Sequence, residues 1–144
     1  MNPVPIEILL VEDNPGDARL TQEALRDARV LNSLHIAVDG VEALAFLRHE
    51  GAYADAPRPD IVLLDLNLPR KSGPEVLAEI KGDANLRRIP VIILTSSRDQ
   101  EDILRSYDLH ANAYIAKPVE FQDFLAVVNS LEEFWLTIVR LPPR

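Results

Sequence analysis

Five side chains with reactive chemistry stand at the ends of short apolar runs. Glu12 and Asp13 follow residues 6–11, Asp65 follows 61–64, Thr95 follows 91–94 and Lys117 follows 113–116. If those runs are neighbouring strands of one sheet, three carboxylates, a hydroxyl and an ammonium group converge on its edge. Neighbouring carboxylates repel one another and raise their own pKa values unless a cation offsets them. A hard divalent ion such as Mg²⁺ takes oxygen ligands and keeps open positions for a phosphoryl group. Three carboxylates would balance the combined charge of Mg²⁺ and Lys117. In such a pocket Asp65 is the natural nucleophile toward phosphorus, with Glu12 and Asp13 holding the metal. Lys117 would meet one phosphoryl oxygen as a point charge, and the Thr95 hydroxyl would donate to another.

Those residues can meet only if the elements between them bring the strands side by side. Each apolar run is followed by a segment with apolar residues three and four apart, so the order reads (βα) five times. The runs are 6–11, 34–38, 61–64, 91–94 and 113–116, and the second and fifth are less apolar, as edge strands tend to be. The helical stripes are Leu20, Ala24 and Ala28; Val41, Leu44 and Ala45; Val76, Leu77 and Ile80; Ile103, Leu104 and Tyr107; and Phe121, Phe124, Leu125 and Val128. Pro15 and Pro74 sit where a first helical turn would begin. Such alternation predicts right-handed crossovers and a doubly wound parallel sheet, a class in which ligands bind beyond the carboxyl ends of the strands. Residues 48–59 read as a long surface loop, and Asp39-Gly40 as a turn or helix cap outside the site.

Composition narrows the function classes. The chain has 144 residues, 47% of them apolar and 26% charged, which predicts one globular domain. The absence of cysteine removes disulfides, thiolate metal sites and a thiol nucleophile, and suits a reducing cytoplasm. The amino-terminal residues lack a basic signal segment, and no apolar run is long enough to span a membrane. A net charge of −8 would repel phosphate backbones, and the basic pairs Arg70-Lys71 and Arg87-Arg88 are short, so nucleic-acid binding is not expected. His35, His49 and His110 share no ligand spacing, and no glycine-rich phosphate loop or Gly-x-Ser-x-Gly elbow is present.

Val11-Glu12-Asp13-Asn14, Leu64-Asp65-Leu66-Asn67-Leu68-Pro69 with Gly73, Leu94-Thr95-Ser96, and Tyr114-Ile115-Ala116-Lys117-Pro118 resemble the receiver domain of two-component response regulators. The resemblance spans about residues 6 to 133. It implies a flavodoxin-like α/β sandwich with strand order 2-1-3-4-5 and Asp65 as phosphoacceptor. It also implies an Mg²⁺ site formed by Glu12, Asp13, Asp65 and the Asn67 backbone carbonyl. The similarity is greatest to small stand-alone receivers that serve phytochrome-linked histidine kinases. The longer loop at 48–59, and Glu12 where Asp is commoner, depart from the minimal pattern without removing an oxygen ligand.

On that resemblance the chain is a cytoplasmic phosphoacceptor, not an enzyme beyond self-phosphorylation and autodephosphorylation. Its partner is a sensor histidine kinase, with a phytochrome favoured. Thr95 and Tyr114 form the switch, the tyrosine turning inward as the hydroxyl is drawn to the phosphoryl group. The Lys117-Pro118 bond is expected to be cis. Residues 1–134 make the receiver, and 135–144 a tail. There Trp135 and Ile138 continue the apolar stripe of Phe124, Val128 and Leu131, which predicts a homodimer. Two rival readings are an Mg²⁺-dependent phosphohydrolase of the haloacid dehalogenase type and a phosphorylation-independent interaction module. The first normally carries a second Asp where this chain has Asn67, which cannot act as general acid.

Overall fold

In the computed structural model the described residues are 5–26, 31–66, 68–95 and 113–117, with Gln122 and Ala126. The elements follow the chain as β1 (Ile6–Val11), α1 (Pro15–Arg26), β2 (Asn32–Ala37), α2 (Gly40–Leu47), a 3-10 turn (Gly51–Tyr53), β3 (Ile61–Asp65), α3 (Gly73–Gly82), β4 (Val91–Thr95) and β5 (Ala113–Ala116). All four strand pairings are parallel, and the sheet order is β2-β1-β3-β4-β5. The expected doubly wound fold is therefore the observed one.

Continuous apolar runs make central strands here because both faces of the sheet are covered. Leu9, Val11, Val62, Leu64 and Ile93 pack with Leu44, Leu47, Leu77 and Ile80 of α2 and α3. The alternate residues Ile8, Leu10, Leu63, Ile92 and Leu94 pack on the other face with Ala18 and Leu25 of α1. The period of two thus sends successive side chains into two separate cores. Edge strand β2 is only half-buried along most of its length, as its weaker apolarity predicts.

Helix ends are fixed locally. Ser72 caps α3 in a reciprocal capping box with Glu75, and Pro74 occupies its first turn. Pro15 opens α1, where Asn14 accepts a hydrogen bond from the Asp17 N–H at 2.9 Å. Asp39 caps α2 by accepting from the Glu42 N–H at 2.7 Å.

Three expectations need correction. The buried face of α1 is Ala18, Thr21 and Leu25, with Ala24 packed half-buried beside it as expected, whereas Leu20 is 48% exposed and Ala28 lies outside the described residues. Leu20 lies only two positions from Ala18, about 200° round the helix, so it points away from the sheet. In α2 the buried arc is Ala43, Leu44, Phe46 and Leu47, and Val41 lies at the solvent margin. The loop at 48–59 is partly structured. Its Tyr53 ring meets Phe46 with centroids 5.4 Å apart, its hydroxyl donates to Glu42, and Tyr53 and Ala56 pack on the core. The Glu42 carboxylate, more than burial, pushes the Tyr53 pKa up to about 12. The fourth and fifth helical stripes lie outside the described residues, apart from the helical and exposed Gln122 and Ala126.

Candidate functional site

β1 delivers Glu12 and Asp13 at its carboxyl end. Glu12 remains in register because its N–H donates to the Ala37 carbonyl at 2.9 Å, and its side chain is buried. Asp13 turns into solvent. β3 ends on Asp65, which is 4% exposed and pairs with Leu94 of β4. A carboxylate oxygen from each of Glu12, Asp13 and Asp65 lies within 4.8 Å of the other two, so one small cation can reach all three. This is the convergence the strand ends predict.

Lys117 follows β5 and crosses to the same place. Its Nζ donates to Asp17 Oδ2 at 2.9 Å, Glu12 Oε1 at 3.0 Å and Asp65 Oδ2 at 3.3 Å. Asp17 is the residue that sequence reading missed. It stands in the first turn of α1, where an acid reads as a dipole partner, and no local pattern set it apart. Among the described residues, three carboxylates thus contact the ammonium group, and Asp13 joins Glu12 and Asp65 as a fourth acid of the pocket.

Electrostatics follow from this crowding. Burial pushes the Glu12 carboxyl up from 4.5 to about 7, Lys117 opposes the shift, and the nearby Asp65 carboxylate adds to it. Burial disfavours the Lys117 charge, but its hydrogen bonds to Asp17 and Glu12 and the Asp65 charge outweigh that, so its pKa is raised. A hard divalent cation suits this donor set: the ligands are carboxylate oxygens, and added positive charge favours the ionised form of the buried Glu12.

Other expected site residues are located in part. Thr95 ends β4 beside Ala116 of β5, which brings its backbone to the same sheet edge, while its side chain lies outside the described residues. Tyr114 pairs with Ile93, is half-buried and packs against the α2 and α3 core. Asn67, Pro118 with its expected cis bond, Trp135 and Ile138 lie outside the described residues. Asp39 is a helix cap, as expected, but it also accepts from Arg70 Nη1 at 3.2 Å. His35 pairs with Glu7 at 2.7 Å and contacts the Phe46 ring, far from a ligand role.

An acidic pocket with one lysine, at the carboxyl ends of a doubly wound parallel sheet, defines an α/β protein whose site suits a divalent cation and a phosphoryl group. The chain belongs to the response regulator receiver domain family, whose pattern matches residues 8–129. It is 49% identical over 138 residues to the response regulator Rcp1 of Synechocystis sp., covering 96% of this chain and 94% of Rcp1. The solved Mn²⁺-bound form of an Rcp1 superposes with a TM-score of 0.76 at 47% identity, covering 97% of this chain and 100% of that one. The bacteriophytochrome response regulator AtBRR gives a TM-score of 0.83 at 47% identity, with 92% of this chain and 96% of AtBRR covered. The phosphorylated cyanobacterial phytochrome response regulator RcpA gives 0.77 at 52% identity, with 93% and 96% covered. This chain is thus a two-component response regulator whose acidic pocket fits a divalent ion. No described helix is long and apolar enough to cross a membrane.

Proposed function

We propose that Asp65 accepts a phosphoryl group from the phosphohistidine of a sensor kinase, with Mg²⁺ held by Glu12, Asp13, Asp65 and the Asn67 carbonyl. The observation that carries this reading is the meeting of the Asp65 carboxylate with Lys117 and the Glu12–Asp13 pair at one sheet edge. An Asp65 carboxylate oxygen bonds to phosphorus as the phosphorus–nitrogen bond breaks, and the imidazole leaves with the electron pair. Bound Mg²⁺ supplies positive charge against the phosphoryl oxygens. Lys117 gives up its Asp65 contact to meet one of those oxygens, Thr95 donates to another, and no dedicated general base is required. Water later cleaves the acyl phosphate and restores the carboxylate, so catalysis is confined to self-phosphorylation and autodephosphorylation.

Signalling follows through the surface of residues 1–134, with Tyr114 moving inward behind Thr95 and the 135–144 tail joining two copies. A phytochrome kinase is the favoured donor, supported by the 47% and 52% identity to regulators named for phytochromes. The cytoplasm, where such a kinase keeps its histidine, is the compartment this reading requires. Incubation with acetyl phosphate and Mg²⁺ tests it. The wild-type chain should form a hydroxylamine-labile phosphoprotein and Asp65→Asn should not. Labelling that survives in Asp65→Asn, or release of phosphate without a lasting phosphoprotein, would overturn it.

A further inference from the structure

Between Asp65 and α3 the chain makes a short loop, and α2 presses on it from the side. A Cβ added to Gly40, the first residue of α2, would collide with the Lys71 carbonyl and with Val76. At the far end of the loop, the Gly73 N–H donates to the Leu66 carbonyl at 3.0 Å. A Cβ on Gly73 would lie 2.5 Å from the Asp65 carbonyl and 2.6 Å from Leu66 Cα. α2 and the loop after the acceptor are therefore in direct backbone contact.

Asp39 completes that contact with its two oxygens divided between two tasks. Oδ1 accepts from the Glu42 N–H and caps α2, while Oδ2 accepts from Arg70 at 3.2 Å. The Asp39 side chain is 7% exposed and that of Arg70 is 63% exposed. Arg70 adopts φ +68°, a left-handed conformation that a non-glycine residue rarely holds without compensation. A buried carboxylate is thus matched by one guanidinium, and that guanidinium belongs to a residue whose backbone needs holding.

We infer that Asp39 and Arg70 are positioning residues for the phosphoacceptor site. Resting on the phosphoacceptor reading above, the pair clamps the loop after Asp65 against α2, so that the loop meets the metal and the incoming phosphoryl group in one conformation. Acting through the loop and not on substrate, the pair should affect cation affinity and phosphorylation rate together. Loss of a supporting partner of a metal site typically costs about ten- to a hundredfold in affinity or activity, and a pair that acts through the loop should fall at the low end. Arg70→Lys keeps the charge but not the guanidinium geometry, and should retain most of the function.

The test compares full-length wild type, Asp39→Asn, Arg70→Ala, Arg70→Lys and the Asp39→Asn/Arg70→Ala double variant. Asp39→Asn keeps an oxygen for the Glu42 cap and removes the charge facing Arg70. Arg88→Ala, exposed and away from the site, is the control. Mg²⁺ affinity of the unphosphorylated protein is read by NMR titration, the acetyl phosphate labelling rate is read at saturating Mg²⁺, and melting temperature is read beside both. The expected result is about a tenfold loss in Asp39→Asn and in Arg70→Ala, a double variant no worse than either, and near wild-type behaviour for Arg70→Lys and for the Arg88→Ala control. Wild-type Mg²⁺ affinity and labelling in Asp39→Asn and Arg70→Ala would overturn the inference. So would additive losses in the double variant, or losses that follow melting temperature alone. Failure of the wild type itself to label would instead refute the phosphoacceptor reading.

Discussion

Glu12 is the residue at which the pocket's electrostatics become measurable. Its carboxyl titrates near 7 in the metal-free fold against 4.5 ordinarily, with burial the main cause. Between those values the folded chain holds a proton that the unfolded chain has released. Metal-free stability should therefore fall as pH rises through that window, by on the order of 2 kcal/mol. Chemical denaturation in a chelating buffer, near both ends of the window, measures the fall. Glu12→Gln should flatten it, and added Mg²⁺ should diminish it by favouring the ionised carboxylate. A flat wild-type profile would refute the assignment. Lys117 offers no comparable titration, because its neighbours hold it protonated across the neutral range.

At the scale of elements, α3 shows how a helix start can serve both stability and the site. Ser72 and Gly73 are adjacent, yet they act differently. The Ser72 hydroxyl accepts from the Glu75 N–H, and Glu75 accepts in return from the Ser72 N–H at 3.0 Å. Ser72→Ala should cost about 1 kcal/mol of stability and leave phosphorylation unchanged. Gly73 instead touches the acceptor's own backbone, so Gly73→Ala should cost about 2 kcal/mol by overpacking and also slow labelling of Asp65. Denaturant melts and labelling rates on the two variants separate these effects. Equal labelling rates would show that the close approach of Gly73 does not govern the acceptor.

For the whole molecule the open question is how a small receiver transmits its state. Phe124, Val128, Leu131, Trp135 and Ile138 follow helical steps of four, three, four and three, and the stripe extends beyond a minimal receiver. We expect the full chain to sediment as a dimer at micromolar concentration and a version ending at Glu133 as a monomer. A monomeric full-length chain, phosphorylated or not, would remove the tail from the mechanism. Tyr114 is half-buried on edge strand β5 and packs against the core.

The strands, their parallel direction and the carboxylates at their ends were legible from sequence because each depends on short-range pattern, whereas the order of the strands came only with the resemblance to receiver domains. Unbroken apolar runs need cover on both faces, and a polar residue ending such a run must emerge at the sheet edge. Pro15, Pro74 and the cap at Asp39 are likewise local, since a first helical turn is satisfied by its immediate neighbours. The phase of α1 was not legible: Leu20 and Ala18 are both apolar, and only packing on the sheet selected Ala18. Tertiary structure alone brought Asp17 to Lys117, 100 residues away in sequence, and Arg70 to Asp39 across 31. An acid in a first helical turn reads as a dipole partner, and a basic pair in a loop reads as a solvated surface. What these charges contact is set by where other strands and helices deliver their ends, and no periodicity in the chain records that.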